Sequence, residues 1–160
     1  MENLNEQGKT IERYIALAIG ITYLLLGFAG FIPALISLPG TSESFVPLNE
    51  SVGAYSAGFG YIFGAIPTNF LHNLVRCGVG LLGITSYNNA TTARVFNRGF
   101  TIAYALLAII GLLPLGKTFF GLMPLFGANV LLNALAAIAA GYYSIVIPAK
   151  ASGVNVSQNL

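Results

Sequence analysis

The sequence predicts an all-α polytopic membrane protein: four transmembrane helices forming two parallel two-helix repeats, with a half-helix before the second span. Three observations predict it. Only 8% of the 160 residues are charged while 56% are hydrophobic, and the mean hydropathy is +0.77; a soluble domain carries roughly 25% charged residues. Uncharged runs of about the length a bilayer needs recur along the chain. The Gly and Pro spacings of the first half return in the second.

Residues 1–13 are polar and of mixed charge, and the apolar run after them is too long for a cleaved leader. The first span is expected over about 14–38, with Pro33 near its end. A loop with Glu43 and Glu50 comes next. Residues 54–66 are apolar and Gly-rich; they are expected to form a half-helix or re-entrant segment, with a fifth, broken span as the competing reading. Pro67 then ends that segment, and Thr68 or Asn69 can cap the second span, about 69–87. The third and fourth spans are expected at about 99–116 and 130–147. Strand alternation is absent from these runs, so helices that satisfy their own backbones are the economical solution in lipid.

Lys and Arg set the orientation. With both termini cytoplasmic, the inner side holds Lys9, Arg13, Arg94, Arg98 and Lys150, and the outer side holds Lys117. The expected location is a plasma or thylakoid membrane. No basic run is dense enough for nucleic acid. The single Cys77 cannot form an internal disulfide, and one Cys with one His cannot build a zinc site.

The duplication rests on paired spacings. Tyr23-x6-Gly30-x2-Pro33 matches Tyr104-x6-Gly111-x2-Pro114, and Gly64-x2-Pro67-x8-Arg76 matches Gly121-x2-Pro124-x8-Asn133. Two-span repeats share one orientation, so their axis runs along the membrane normal. Arg76 and Asn133 then become equivalent. Small-xxx-small pairs, Ala136/Ala140 and Ala137/Gly141 in the fourth span, and Gly60/Gly64, allow close packing.

The chemically informative segment is Pro67 to Gly80, PTNFLHNLVRCGVG. On a helix Asn69, His72 and Arg76 share one face, with Asn73 at its edge. Arg76 lies about 10 Å inside the helix end, where an unpaired guanidinium is costly. Its partner could be Glu43 or Glu50 from the outer loop, helix-end carbonyls near Pro114, or an external anion. Asn69, His72, Arg76 and Asn133 are therefore the candidate contacts for an anion or a lipid headgroup. A structural clasp between outer loop and bundle is the competing role.

These motifs carry a resemblance. GFIP at Gly30–Pro33, the Ile66-Pro-x-Asn-x-x-His-Asn73 piece, and the GLLP and FGLMPL segments resemble a group of bacterial four-helix membrane proteins catalogued as a domain of unknown function, common in cyanobacteria and actinobacteria. The resemblance covers about Tyr14 to Ile147 and implies the four-span fold without an established activity. In that pattern a second His usually stands at the place of Arg76 and another at that of Asn133; His72 alone is carried over. A lone imidazole could ligate one face of a haem or chlorophyll, but no cofactor is otherwise indicated.

The functional expectation is a non-catalytic accessory or assembly subunit of a larger membrane complex, a photosynthetic one among the options. The only carboxylates outside the N-terminal tail are Glu43 and Glu50, which argues against paired-carboxylate catalysis. The alternative is a small-solute, ion or lipid carrier built on Arg76 and Asn133, which would need to oligomerise. Expected partners are the lipid bilayer and other membrane proteins or further copies of the chain.

Overall fold

A computed structural model describes residues 2–40 and 55–148. The described residues are mostly helical, with four α-helices: α1 (Glu2–Ala29), α2 (Phe70–Ser86), α3 (Ala90–Leu112) and α4 (Ala128–Gly141). Three of the helical stretches, Glu6–Ala29, Ala90–Leu112 and Ala128–Val146, are long and apolar enough to cross a membrane. The third includes a π-helical turn, Tyr142–Val146, that continues α4.

The first helix stops earlier than the apolar run predicts. It ends at Ala29, and Gly30–Phe31 turn the chain before Pro33 opens a 3-10 turn, Pro33–Leu35. The proline cannot continue an α-helix, because it lacks the N–H and crowds the preceding turn. The chain then enters a small antiparallel sheet: β1 (Ile36–Ser37), β2 (Gly60–Ile62) and β3 (Ile66–Thr68), in the order β1-β2-β3. So the half-helix expected over 54–66 is, in its described part, a hairpin, and the fold is not purely helical. Phe63 and Gly64 both take positive φ (52° and 72°), which closes the hairpin and is incompatible with a helix there. The register pairs Gly60 with Thr68 and Ile62 with Ile66.

The hairpin delivers Thr68 and Asn69 to the start of α2. Asn69 is the N-cap, its side-chain oxygen accepting the His72 amide N–H at 2.8 Å. Between α3 and α4 the chain runs through an irregular connection over 113–127. It too contains a positive-φ turn, at Phe119, Phe120 and Gly121, and leads through buried Pro124 and Leu125 into α4. The third span also differs from expectation at its ends, starting at Ala90 and closing at Leu112. Asn89 supplies its N-cap.

α1 packs on α2 through glycine. A Cβ on Gly20 would sit 2.6 Å from the Ile84 amide nitrogen, and one on Gly80 equally close to the Leu24 nitrogen. Small side chains thus let the two backbones touch. α3 and α4 meet where the Thr101 side chain lies against Gly141, its methyl 2.8 Å from where a Cβ would stand. Between the pairs lies an aromatic core. Phe100 stacks on Tyr104 with 3.9 Å between ring centroids, and Tyr23 meets both edge-on at 5.3 and 5.0 Å.

Burial runs opposite to that of a water-soluble globule. Large apolar side chains face outward on every helix, among them Leu25, Leu82, Ile102 and Ile138. The enclosed residues include Glu12, Thr68, Asn69, His72, Asn73, Arg76, Asn97, Asn129, Asn133 and Ser144. An apolar exterior around a polar interior is the arrangement that lipid rewards and water does not.

Candidate functional site

The polar interior divides into two ends. At one, Glu12 is enclosed and receives both contacts of the Arg94 Nε at 3.0 Å, while Asn97 donates to the Glu12 carbonyl at 2.8 Å. Arg13 donates to the Tyr87 carbonyl at the C-terminal end of α2, and Arg98 to the Ser144 carbonyl in the π-helical turn that extends α4. Arg13 thus meets a carbonyl that the end of α2 leaves without an intrahelical donor.

The other end holds the cluster that the sequence singles out. Arg76 extends from α2 back toward the helix start, as long helical side chains do. Its Nη1 donates to Thr68 Oγ1 at 3.2 Å, and its Nη2 to Asn129 Oδ1 at 2.6 Å. The Asn129 amide is itself fixed: Nδ2 donates to the carbonyls of Pro67 and Pro124, each at 2.8 Å. One side chain from α4 thus ties the connections that precede α2 and α4, and turns its oxygen onto the guanidinium. Thr68 Oγ1 in turn donates to Asn73 Oδ1, and Asn73 Nδ2 donates to the Gly30 carbonyl at 2.7 Å. Gly30 is required at that contact, since any Cβ there would collide with the Asn73 amide. Asn69, besides capping, donates to the carbonyls of Tyr55 and Leu122 at 3.0 and 2.7 Å.

The structure encloses all four sequence-predicted residues. Asn69, His72, Arg76 and Asn133 are all buried, at 0%, 6%, 2% and 4% exposure. Asn133 does not touch Arg76 by a hydrogen bond; its Oδ1 accepts from the Tyr23 hydroxyl at 3.2 Å. The proposed charge partners Glu43 and Glu50 lie outside the described residues. Among the described residues the guanidinium is held by neutral oxygens rather than a carboxylate, and the ion pairs there are Lys9–Glu6 and Arg94–Glu12. The carbonyls near Pro114, also expected as partners, are not those used; Asn129 stands in their place.

Asn129 is the residue the sequence reading missed. A signal for it exists: Pro124-x4-Asn129-x3-Asn133 repeats the spacing Pro67-x4-His72-x3-Arg76. Two buried polar atoms in this region have no partner among the described residues, His72 Nδ1 and Asn133 Nδ2. His72 is enclosed by protein, and the Arg76 guanidinium stands one turn along the same helix. The residues present do not fit a porphyrin, which needs an open face before its axial imidazole. Among the described residues no three His, Cys, Asp or Glu side chains converge.

Comparison with known proteins gives one assignment. The model of the DUF4383 family, described as a domain of unknown function, matches residues 13–146. The chain belongs to that family. Neither the curated proteins nor the solved structures return a match.

Proposed function

We propose that this DUF4383 member is a four-span, non-catalytic membrane protein that serves as an accessory or assembly subunit of a larger membrane complex. One observation carries the reading. The buried polar groups that a site would need for chemistry are bonded mainly to each other and to backbone carbonyls, joining α1, the hairpin, α2 and α4 into one unit. The exterior, by contrast, is a broad apolar surface fit for lipid and neighbouring helices.

α2 is the fourth span in this reading. Its 17 residues extend about 26 Å, close to the roughly 30 Å hydrocarbon thickness. Its imidazole, amide and guanidinium side chains gather in its first two turns and face inward, while Thr85 and Ser86 at its far end bond back to helix carbonyls. Orientation with both termini cytoplasmic accords with Arg13, Arg94 and Arg98 lying together at one end of the bundle.

Internal duplication is part of the proposal. Contacts pair up between the halves in the order that the spacings require. Gly20 against Ile84 corresponds to Thr101 against Gly141, and Gly30 against Asn73 corresponds to Gly111 against Val130. Positive-φ Phe-Gly turns, Phe63-Gly64 and Phe120-Gly121, stand before Pro67 and Pro124.

Purification of the tagged chain from its native membrane in mild detergent, with mass spectrometry of what accompanies it, tests the function. Stoichiometric membrane subunits are expected. Recovery of the chain alone, or only as a homo-oligomer, overturns the assembly role. The second reading, a small-solute carrier, draws on the unpartnered His72 Nδ1 and Asn133 Nδ2 near a guanidinium held by neutral groups. A homo-oligomer stabilised by a small anion, with the effect lost in Arg76→Gln, would favour it.

A further inference from the structure

A different part of the molecule presents a binding surface. α3 and α4 diverge on their outer side, leaving a groove of about 570 Å³. Its floor is built from Ala105, Ala108, Ala134, Ala137 and Gly141, and Ile109 and Ile138 rise beside it. At its end near the 113–127 connection, Leu112, Val130 and Ala134 pass into a second hollow, whose lining includes Lys117, Phe126 and Gly127. The Lys117 side chain is exposed, and its ammonium has no hydrogen-bond or ion-pair partner among the described residues. An apolar channel thus opens onto a single cation.

Length selects the occupant. The α3 wall runs from Leu112 to Thr101, about 17 Å by helical rise, and the α4 wall from Val130 to Val146, about 24 Å. The two-walled part matches one leaflet, about 15 Å of hydrocarbon, rather than the roughly 30 Å that a crossing partner helix would bury. A small-residue floor between larger walls suits a flexible chain one methylene wide. The cation lies just past the end of α3, a helix long and apolar enough to cross a membrane. We infer that this groove is a binding site for one anionic glycerophospholipid, an acyl chain between α3 and α4 and the headgroup phosphate on Lys117.

The site is separate from the Arg76 cluster and stands whether the chain is an assembly subunit or a carrier. Native mass spectrometry of the purified protein, with phosphatidylglycerol and phosphatidylcholine of identical acyl chains, tests it. One phosphatidylglycerol per chain should be retained, with about fivefold preference over phosphatidylcholine, the effect of one surface lysine on an anionic lipid. Lys117→Gln should remove the preference, and Lys117→Arg should keep it. Ala134→Trp, which fills the floor from a half-buried position, should lose retention of both lipids while the protein's melting temperature holds. Equal retention of the two lipids by the parent, or an undiminished preference in Lys117→Gln, overturns the proposal. So does a lipid-free dimer that Ala134→Trp converts to monomer, since the groove would then seat a second copy.

Discussion

Asn129 determines whether Arg76 can remain where it is. A guanidinium inside an apolar bundle needs acceptors in place, and the amide oxygen of Asn129 is held toward it by two proline carbonyls on the amide's other side. Asn129→Leu should therefore lower stability by about 1.5–3 kcal/mol, the range for hydrogen bonds to charged groups. Arg76→Leu alone should be comparably harmful. The double variant should be less destabilised than the sum of the two, because neither half of the contact is then left unpaired. Thermal unfolding in detergent measures all three; strict additivity would mean that the contact contributes nothing. Arg76→Lys keeps the charge but cannot span Thr68 and Asn129 with one planar group, so it should recover only part of the loss.

At the level of elements, the helices were legible and their junctions were not. Apolar runs between charged or polar stretches revealed α1, α3 and α4, because lipid demands length and hydrophobicity above all. The hairpin was hidden. Its strands are three residues each, too short to show alternation, and Phe63 carries the positive φ that sequence rules reserve for glycine. The inward placement of Asn69, His72 and Arg76 was readable from helical spacing. Arg76's acceptors were not, because they come from β3 and from α4, 8 and 53 residues away. Glycines on the helices divide into two groups with opposite expected behaviour. Gly83→Leu would drive a side chain into the backbone of α1, where a Cβ already falls 2.7 Å from the Gly20 Cα. It should destabilise by at least the about 1–3 kcal/mol typical of overpacking. Gly78→Ala and Gly99→Ala, with open space around both, should be neutral or stabilising by up to about 1 kcal/mol through helix propensity. Guanidinium-induced unfolding in micelles can rank them, and an unchanged midpoint for Gly83→Leu would show that α1 and α2 part without loss.

For the whole molecule, the question is whether α2 crosses the bilayer. Single cysteines in a Cys77→Ser background, at Ser42, Asn88 and Ser152, separate the layouts. Four crossings put Ser42 on one side and both Asn88 and Ser152 on the other. An impermeant maleimide on intact cells should then reach Ser42 and spare the other two. Labelling of Ser42 and Asn88 from the same side would mean that α2 lies along the surface, and the parallel two-helix repeat would fall with it.

The 53-residue separation of Arg76 from Asn129 has a meaning in time as well as in space. A ribosome adding about 5–20 residues per second needs roughly 3–10 s to make that stretch. Through that interval a newborn α2 carries a guanidinium whose principal acceptor has not been synthesised. In the four-span reading, the insertion machinery has to keep this helix in a wet or protein-lined setting until α4 emerges, so biogenesis of this protein calls for a waiting place rather than immediate release into lipid.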